Sequence, residues 1–278
     1  MLSICDDYAN EYCISFNANK SKCLTVVPRK RRFLCEYIKN CTFYVGNNPI
    51  ENVDSFTHLG HVITDQLIDN AGILKRRSDF VGQANNVLCF FNKLTSSVKN
   101  KLFRSYCMSM YGCELWLLSN DHIKDLCVSW RKSLRRIWGL PYDSHCYLLP
   151  LLSQCLPLAD EICRRSLNFI KTCICNNSSL VRAVTNYGIQ YGRYNSVLGH
   201  NVLYCAKIYK SCVQDIISGS VNSIVNNYVL SLVADCQLQM ACFVHELILI
   251  RDSVLELTND VHLSRDELDT CIQLLCTD

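Results

Sequence analysis

Residues 1–14 read MLSICDDYANEYCI, and the fold turns on what Asp6 and Asp7 are doing in that stretch. Two adjacent aspartates can hold catalytic metal ions when they sit in the tight turn of a hairpin flanked by β-branched residues. Here Leu2, Cys5, Tyr8, Ala9, Tyr12 and Cys13 recur at spacings of three and four, the period of an amphipathic helix with its apolar stripe toward a core. Asp6 and Asp7 fall beside that stripe, toward water. The stretch therefore predicts a helix carrying surface acids, and no catalytic residue is assigned in the chain.

After Ile14 the period changes. ISFN is extended, NANKSK is polar and turn-like, and CLTVV is β-branched. Pro28 and the run Arg29, Lys30, Arg31, Arg32 make a basic turn, with strands expected at 33–38 and 41–45. GNNP at 46–49 is a turn signal, because Gly and Asn tolerate positive φ and Pro fixes its own. SFTHLGHVIT reads as one strand with Gly60 at a bulge or close approach, which sets His58 and His61, three apart, on opposite faces. A small antiparallel β unit ending near residue 64 is the economical description.

Beyond it the patterning is helical. Helices are expected at 66–94, 97–118, 121–138, 157–176, 178–187, 200–218, 221–250 and 264–276. The third stops at Gly139-Leu140-Pro141, a strong terminator, and Ser264 with Glu267 forms a capping box for the last. The fold class is mainly α, with the small antiparallel β unit at its N-terminal side.

The chain has 278 residues, of which 49% are hydrophobic and 19% charged, a globular rather than a disordered composition. The longest apolar run, 238–250, is interrupted by Gln239, His245 and Glu246, so no membrane span is expected. The N-terminus has no secretory succession, and an intracellular protein, cytoplasmic or nuclear, is the expectation. Twenty cysteines are scattered without framework or C-x-x-C spacing, which favours buried free thiols over disulfides or zinc. The best metal candidate, Cys236, Cys242 and His245, lacks a fourth ligand. No metal or cofactor is therefore assigned.

The net charge of +3 conceals an asymmetry: residues 1–200 carry 24 Lys+Arg against 15 Asp+Glu, and residues 201–278 carry 4 against 10. A basic front suggests a polyanionic partner. The densest patch is Arg131, Lys132, Arg135 and Arg136, interleaved with Trp130, Leu134, Ile137 and Trp138. Cations four apart line adjacent strips of a helix while the aromatics occupy another face, so guanidinium groups can follow a phosphate backbone. Lys75, Arg76, Arg77, Lys99, Lys101 and Arg104 add further clusters. There is no phosphate-cradling glycine loop, and Ser196 near His200 lacks the G-x-S-x-G elbow of a nucleophile.

The order of these landmarks resembles the C-terminal part of non-LTR (LINE-type, jockey-like and CR1-like) retrotransposon reverse transcriptases. Phe16, Asn17, Lys20 and Ser21 match the family's F-N-x-x-K-S motif, and FTHLGHVIT is similar to its Y-L-G segment, with Leu59 and Gly60 matched and His58 where Tyr is usual. YGCELW at 111–116, WRKSLRRIWGLP at 130–141, RRSLNFI at 164–170, Ser196 with Asn201 and the terminal DELDTCIQLLCTD continue the likeness over the whole chain.

The resemblance implies a palm remnant over 1–65, a helical thumb over 66–140 and a helical C-terminal region over 141–278. The catalytic Y/F-A-D-D dyad, its Mg2+ ions and the endonuclease would all belong upstream of Met1, so Mg2+ is implied only for an intact parent enzyme. Lys20 would assist a leaving pyrophosphate, and His58, Leu59 and Gly60 would hold a primer 3′ end. RNA or an RNA–DNA hybrid is the partner expected, and an unpaired palm edge would offer a docking site for protein. The rival expectation is a helical protein-interaction module, or a remnant without function.

Overall fold

The computed structural model describes residues 2–17, 19–26, 41–45, 48–142, 144, 146, 148–191, 195–232 and 234. The basic run 29–32, the strand expected at 33–38, the Cys236, Cys242 and His245 group and the 264–276 helix lie outside the described residues. The protein is mainly helical, with small sheets near the N-terminus. It divides into two compact units, Met1–Lys75 and Arg76–Asp278, and the division falls inside one helix.

In the first unit, helix α1 (Leu2–Glu11) forms as its periodicity predicts. Its burial does not follow. Ala9 is buried, but Ile4, Tyr8 and Tyr12 are exposed, and the two tyrosine rings instead pack on each other, tilted by 32° with centroids 4.5 Å apart, one turn along the chain. Asp7 is exposed and Asp6 half-buried.

Asn17 then holds a tight turn. Its backbone carbonyl accepts from the N–H groups of Lys20 and Ser21, and its side-chain oxygen accepts from Lys20 N–H at 3.2 Å. This is the local reason for an asparagine three residues before Lys20.

Strands β1 (Lys22–Leu24), β2 (Phe43–Val45) and β3 (Asn48–Val53) form a sheet in the order β1-β3-β2. The expected antiparallel unit is in fact mixed. β2 pairs antiparallel with β3, but β1 pairs parallel with it, placing Lys22 against Glu51 as an ion pair. The long stretch between Leu24 and Phe43 permits this, since parallel pairing needs a crossover rather than a tight turn.

Strands β4 (Ser55–His58) and β5 (His61–Thr64) form a two-stranded hairpin. Leu59 and Gly60, at φ 47° and 80°, are the two central residues of its turn. Positive φ at both positions is the primed turn that matches strand twist. The segment is therefore two strands rather than one bulged strand. His58 pairs directly across from His61, so the two imidazoles share a face instead of lying on opposite ones. Leucine in the left-handed region costs about 1–2 kcal/mol, and Leu59 is nonetheless 73% exposed.

Helix α2 (Asn70–Phe90) crosses into the second unit. Within that unit follow α3 (Ser96–Tyr106), a short 3-10 turn (Cys113–Leu115), α4 (Asp121–Trp138), α5 (Leu148–Ser153), α6 (Leu158–Ile174), α7 (Ser179–Gln190), α8 (Val197–Ile208), α9 (Val213–Ser218) and a helical run over 221–232. Two expected helices are shorter than their apolar periodicity. The one expected at 97–118 ends at Tyr106, and Gly112 at φ 85° leads into the 3-10 turn. The one expected at 200–218 is broken between Ile208 and Val213, where Lys210 takes φ 50°.

The core is made of faces at helical spacing. Phe80 of α2 meets Phe103 of α3 edge-on at 5.7 Å, both fully buried. Leu126, Trp130, Leu134 and Ile137 of α4, and Ile162, Leu167 and Ile170 of α6, are likewise buried. Asn201 of α8 is 1% exposed and ties three segments together. Its Oδ1 accepts from Leu118 N–H at 2.9 Å, and its Nδ2 donates to Trp116 O at 2.8 Å and to Ser166 Oγ at 3.2 Å. The non-helical segment after α3 is thereby supplied with the backbone partners that a helix would have provided.

All fifteen described cysteines are free. Burial pushes the Cys107 thiol up to about 11 and those of Cys113 and Cys127 up to about 12, which keeps them protonated and unreactive. No helix among the described residues is long and apolar enough to cross a membrane.

Candidate nucleic-acid interface

α4 carries the densest group of expected contacts, and its sequence explains why it stands as it does. Asn120 caps it by accepting from His122 N–H at 3.0 Å, and Gly139 at φ 65° ends it. Eight residues from Ile123 to Ile137 face the interior. The tryptophan at 130 is buried among them, while Lys132 and Arg136 are exposed and Arg131 and Arg135 half-buried. The expected separation of cations from aromatics is thus observed for Trp130, whereas Trp138 is half-buried, one turn on from Arg135.

Each cation has a distinct setting. Lys132 and Arg135 lie over the ring of Tyr142, at 5.6 Å and 5.9 Å from its centroid. Arg135 donates from Nη2 to Ser144 O at 2.7 Å, which holds the chain leaving α4 against its last turn. Arg136 donates to Asn85 Oδ1 of α2 at 2.8 Å. Arg77 of α2 donates from Nε to Ser129 Oγ of α4 at 3.1 Å, and Arg76 donates to Tyr111 O at 3.2 Å. The two bridges, 77 to 129 and 85 to 136, advance together along both helices, so α2 and α4 run in the same direction here.

These arginines therefore work as struts between helices, but toward neutral acceptors. Among the described residues none of Arg76, Arg77, Lys99, Lys101, Arg104, Arg131, Lys132, Arg135 and Arg136 is ion-paired with an acid. Their charges are not neutralised by direct ion pairs, which leaves them able to attract phosphate. On α3, Lys101 and Arg104 are exposed on one side, whereas Lys99, two residues from Lys101, points to the other. Lys20, His58, Leu59, Gly60 and Lys75 belong to the first unit, and Arg29, Lys30, Arg31 and Arg32 lie outside the described residues.

Arg131 also lines a mainly apolar cavity of about 190 Å³ with Cys127, Trp130, Leu158 and Asp160. Tyr209 donates to Asp160 Oδ1 at 3.1 Å. Burial raises the Asp160 carboxyl above its ordinary value, and the Tyr209 hydrogen bond opposes that rise only in part. The folded protein thus binds the Asp160 proton more tightly than the unfolded chain does. Stability should fall as pH climbs from roughly 4, the unfolded carboxyl value, through the raised folded value. Asp160→Asn keeps an acceptor for Tyr209, and is expected to be more stable than the parent at neutral pH with a flatter profile. Thermal midpoints of both proteins across pH 4–8 check this, and a variant no more stable than the parent at pH 7, or with an equally steep fall from pH 4 to 7, would refute it.

Sequence reasoning passed over a second polar group. Glu161 of α6, 8% exposed, accepts from Arg164 Nε at 2.9 Å and Arg165 Nε at 2.7 Å. The spacing Glu161, Arg164, Arg165 was readable as an i, i+3 and i, i+4 set.

Comparison with family models, curated proteins and solved structures finds no match to this chain.

Proposed function

We propose that the chain is the C-terminal part of a non-LTR retrotransposon reverse transcriptase, without the catalytic aspartates, retaining the binding of RNA or of an RNA–DNA template–primer. The observation that carries this reading is the α4 surface, where cations unpaired with acids stand in strips over a buried tryptophan face. In this reading residues 66–140 supply the thumb and 141–278 the helical C-terminal region. Residues 1–65, within the first unit, are the palm remnant, with the Asn17 turn presenting Lys20 and the β4–β5 hairpin serving as primer grip. Two features of that unit agree with the proposal. Leu59 is held at an unfavourable φ on an exposed hairpin tip, the kind of strain that functional sites retain. The exposed Ile4, Tyr8 and Tyr12 face of α1 suits a helix that packs on further palm strands.

The test is a salt series of affinity for a recessed RNA–DNA hybrid. Log affinity should fall linearly with log salt, and Lys132→Ala with Arg136→Ala should weaken binding and reduce the slope by about one to two. A flat response, or no binding at low salt, rejects the reading. A helical protein-interaction module is favoured by a different observation: Leu180, Val184, Tyr187 and Tyr191 make an exposed apolar stripe along α7, with the two tyrosines stacked at 5.7 Å.

A further inference from the structure

A recess of about 300 Å³ opens between α3, the 154–156 linker, α6 and the 221–232 run, lined by Arg104, Met108, Gln154, Glu161, Arg164, Arg165 and Asn226 among others. Three arginines from two helices converge on it with one carboxylate. Glu161, nearly buried, holds Arg164 through its Nε at 2.9 Å and Nη2 at 2.6 Å, and Arg165 through its Nε at 2.7 Å. Arg165 also reaches Met108 O from Nη2 at 3.4 Å. Each guanidinium has five N–H donors, so both keep donors to spare in orientations set by Glu161. The side chains of Arg104, Gln154 and Asn226 make no hydrogen bond among the described residues, and add a third guanidinium and two amides to the same walls.

A helix staple explains why Arg164 and Arg165 sit on Glu161. It does not explain why Arg104, from another helix, faces the same recess, whose walls carry three guanidiniums against the single carboxylate of Glu161, with Glu114 acting on Arg165 from beyond them. A terminal phosphate monoester carries about −1.5 to −2 at pH 7, whereas a bridging phosphodiester carries about −1. The excess matches the former. The volume, at the small end of ligand cavities, takes a phosphate and its attached sugar rather than a duplex. Lys101, one turn earlier on the same side of α3, continues the positive charge beyond the recess. Arginine clusters also read phosphorylated peptides, so the charge of the recess selects a phosphate monoester, and its carrier is decided by the function proposed above and by the peptide arm of the test.

We infer that this recess binds the 5′-terminal phosphate of a nucleic-acid strand. The phosphate assignment stands on the recess itself, and the choice of nucleic acid rests on the function proposed above.

The experiment compares fluorescence anisotropy of the full chain with one short RNA bearing either a 5′-phosphate or a 5′-hydroxyl. The phosphorylated strand should bind about tenfold tighter, and millimolar inorganic phosphate should erase the difference. Arg104→Ala, an exposed position whose fold is checked by thermal unfolding, should reduce the difference to twofold or less. Equal affinity for both ends, or a preference that survives Arg104→Ala, overturns the inference. If the hydroxyl strand binds with the expected salt dependence but no phosphate preference appears, the recess assignment fails while the proposed function stands. Tighter binding of a phosphoserine peptide than of the phosphorylated strand overturns the nucleic-acid assignment.

Discussion

Asn201→Ala is expected to lower the unfolding free energy of the second unit by about 3–4 kcal/mol. The side chain is 1% exposed and serves two backbone groups, Leu118 N–H and Trp116 O, that have no other partner among the described residues. A buried backbone group stripped of its partner costs about 1–3 kcal/mol, and two are stripped at once. Ser166 can turn its hydroxyl elsewhere, so its loss adds little. Urea unfolding followed by tryptophan fluorescence measures the change. A loss below about 1 kcal/mol would mean that water replaces the amide, and the hub would then be no more than a convenience of packing. Asn201→Asp should also destabilise, because it keeps the acceptor for Leu118 but loses the donor to Trp116 and Ser166.

Phe103→Ala should cost a similar amount, about 3–5 kcal/mol, for a different reason. Phe103 is fully buried and meets Phe80 with ring centroids 5.7 Å apart and planes at 79°. Truncation leaves a cavity between α2 and α3 and removes the edge-to-face contact, which itself contributes about 0.5–1.5 kcal/mol. The double variant with Phe80→Ala should therefore be less destabilised than the sum of the singles by about that amount. Strict additivity would show that the two rings are neighbours without being coupled.

How far the fold could be read in advance depends on where its signals lie. α4 was readable to within a residue, because its apolar face and the Gly139 terminator lie within it or beside it. The segment after Tyr106 was not. Met110 and Trp116 keep an apolar period and are buried, but periodicity reports burial rather than helix, and the partner that frees this segment from helical bonding is Asn201, far along the chain. The hairpin at 55–64 was missed for a local reason. Leucine is a poor residue for a primed turn, so Leu59 concealed what Gly60 suggested. At the candidate site, the arrangement of cations on α4 was legible from spacing alone. The attachments of Arg136 to Asn85 and of Arg135 to Ser144, and those of Arg77 and Arg76 on α2 to Ser129 and Tyr111, were not, since each acceptor is neutral and unremarkable in sequence. Arg164 and Arg165 were visible as a pair, but the recess required α3 to bring Arg104 beside them.

The placement of the tryptophans has a practical consequence. All three, Trp116, Trp130 and Trp138, lie in the second unit, and their indole Nε1 atoms are shielded from solvent without hydrogen-bond partners among the described residues. Emission excited at the red edge of tryptophan absorption is therefore a reporter of that unit alone. The first unit is spectroscopically silent in the same experiment, and its own melting has to be followed through its tyrosines or by exchange of its backbone amides.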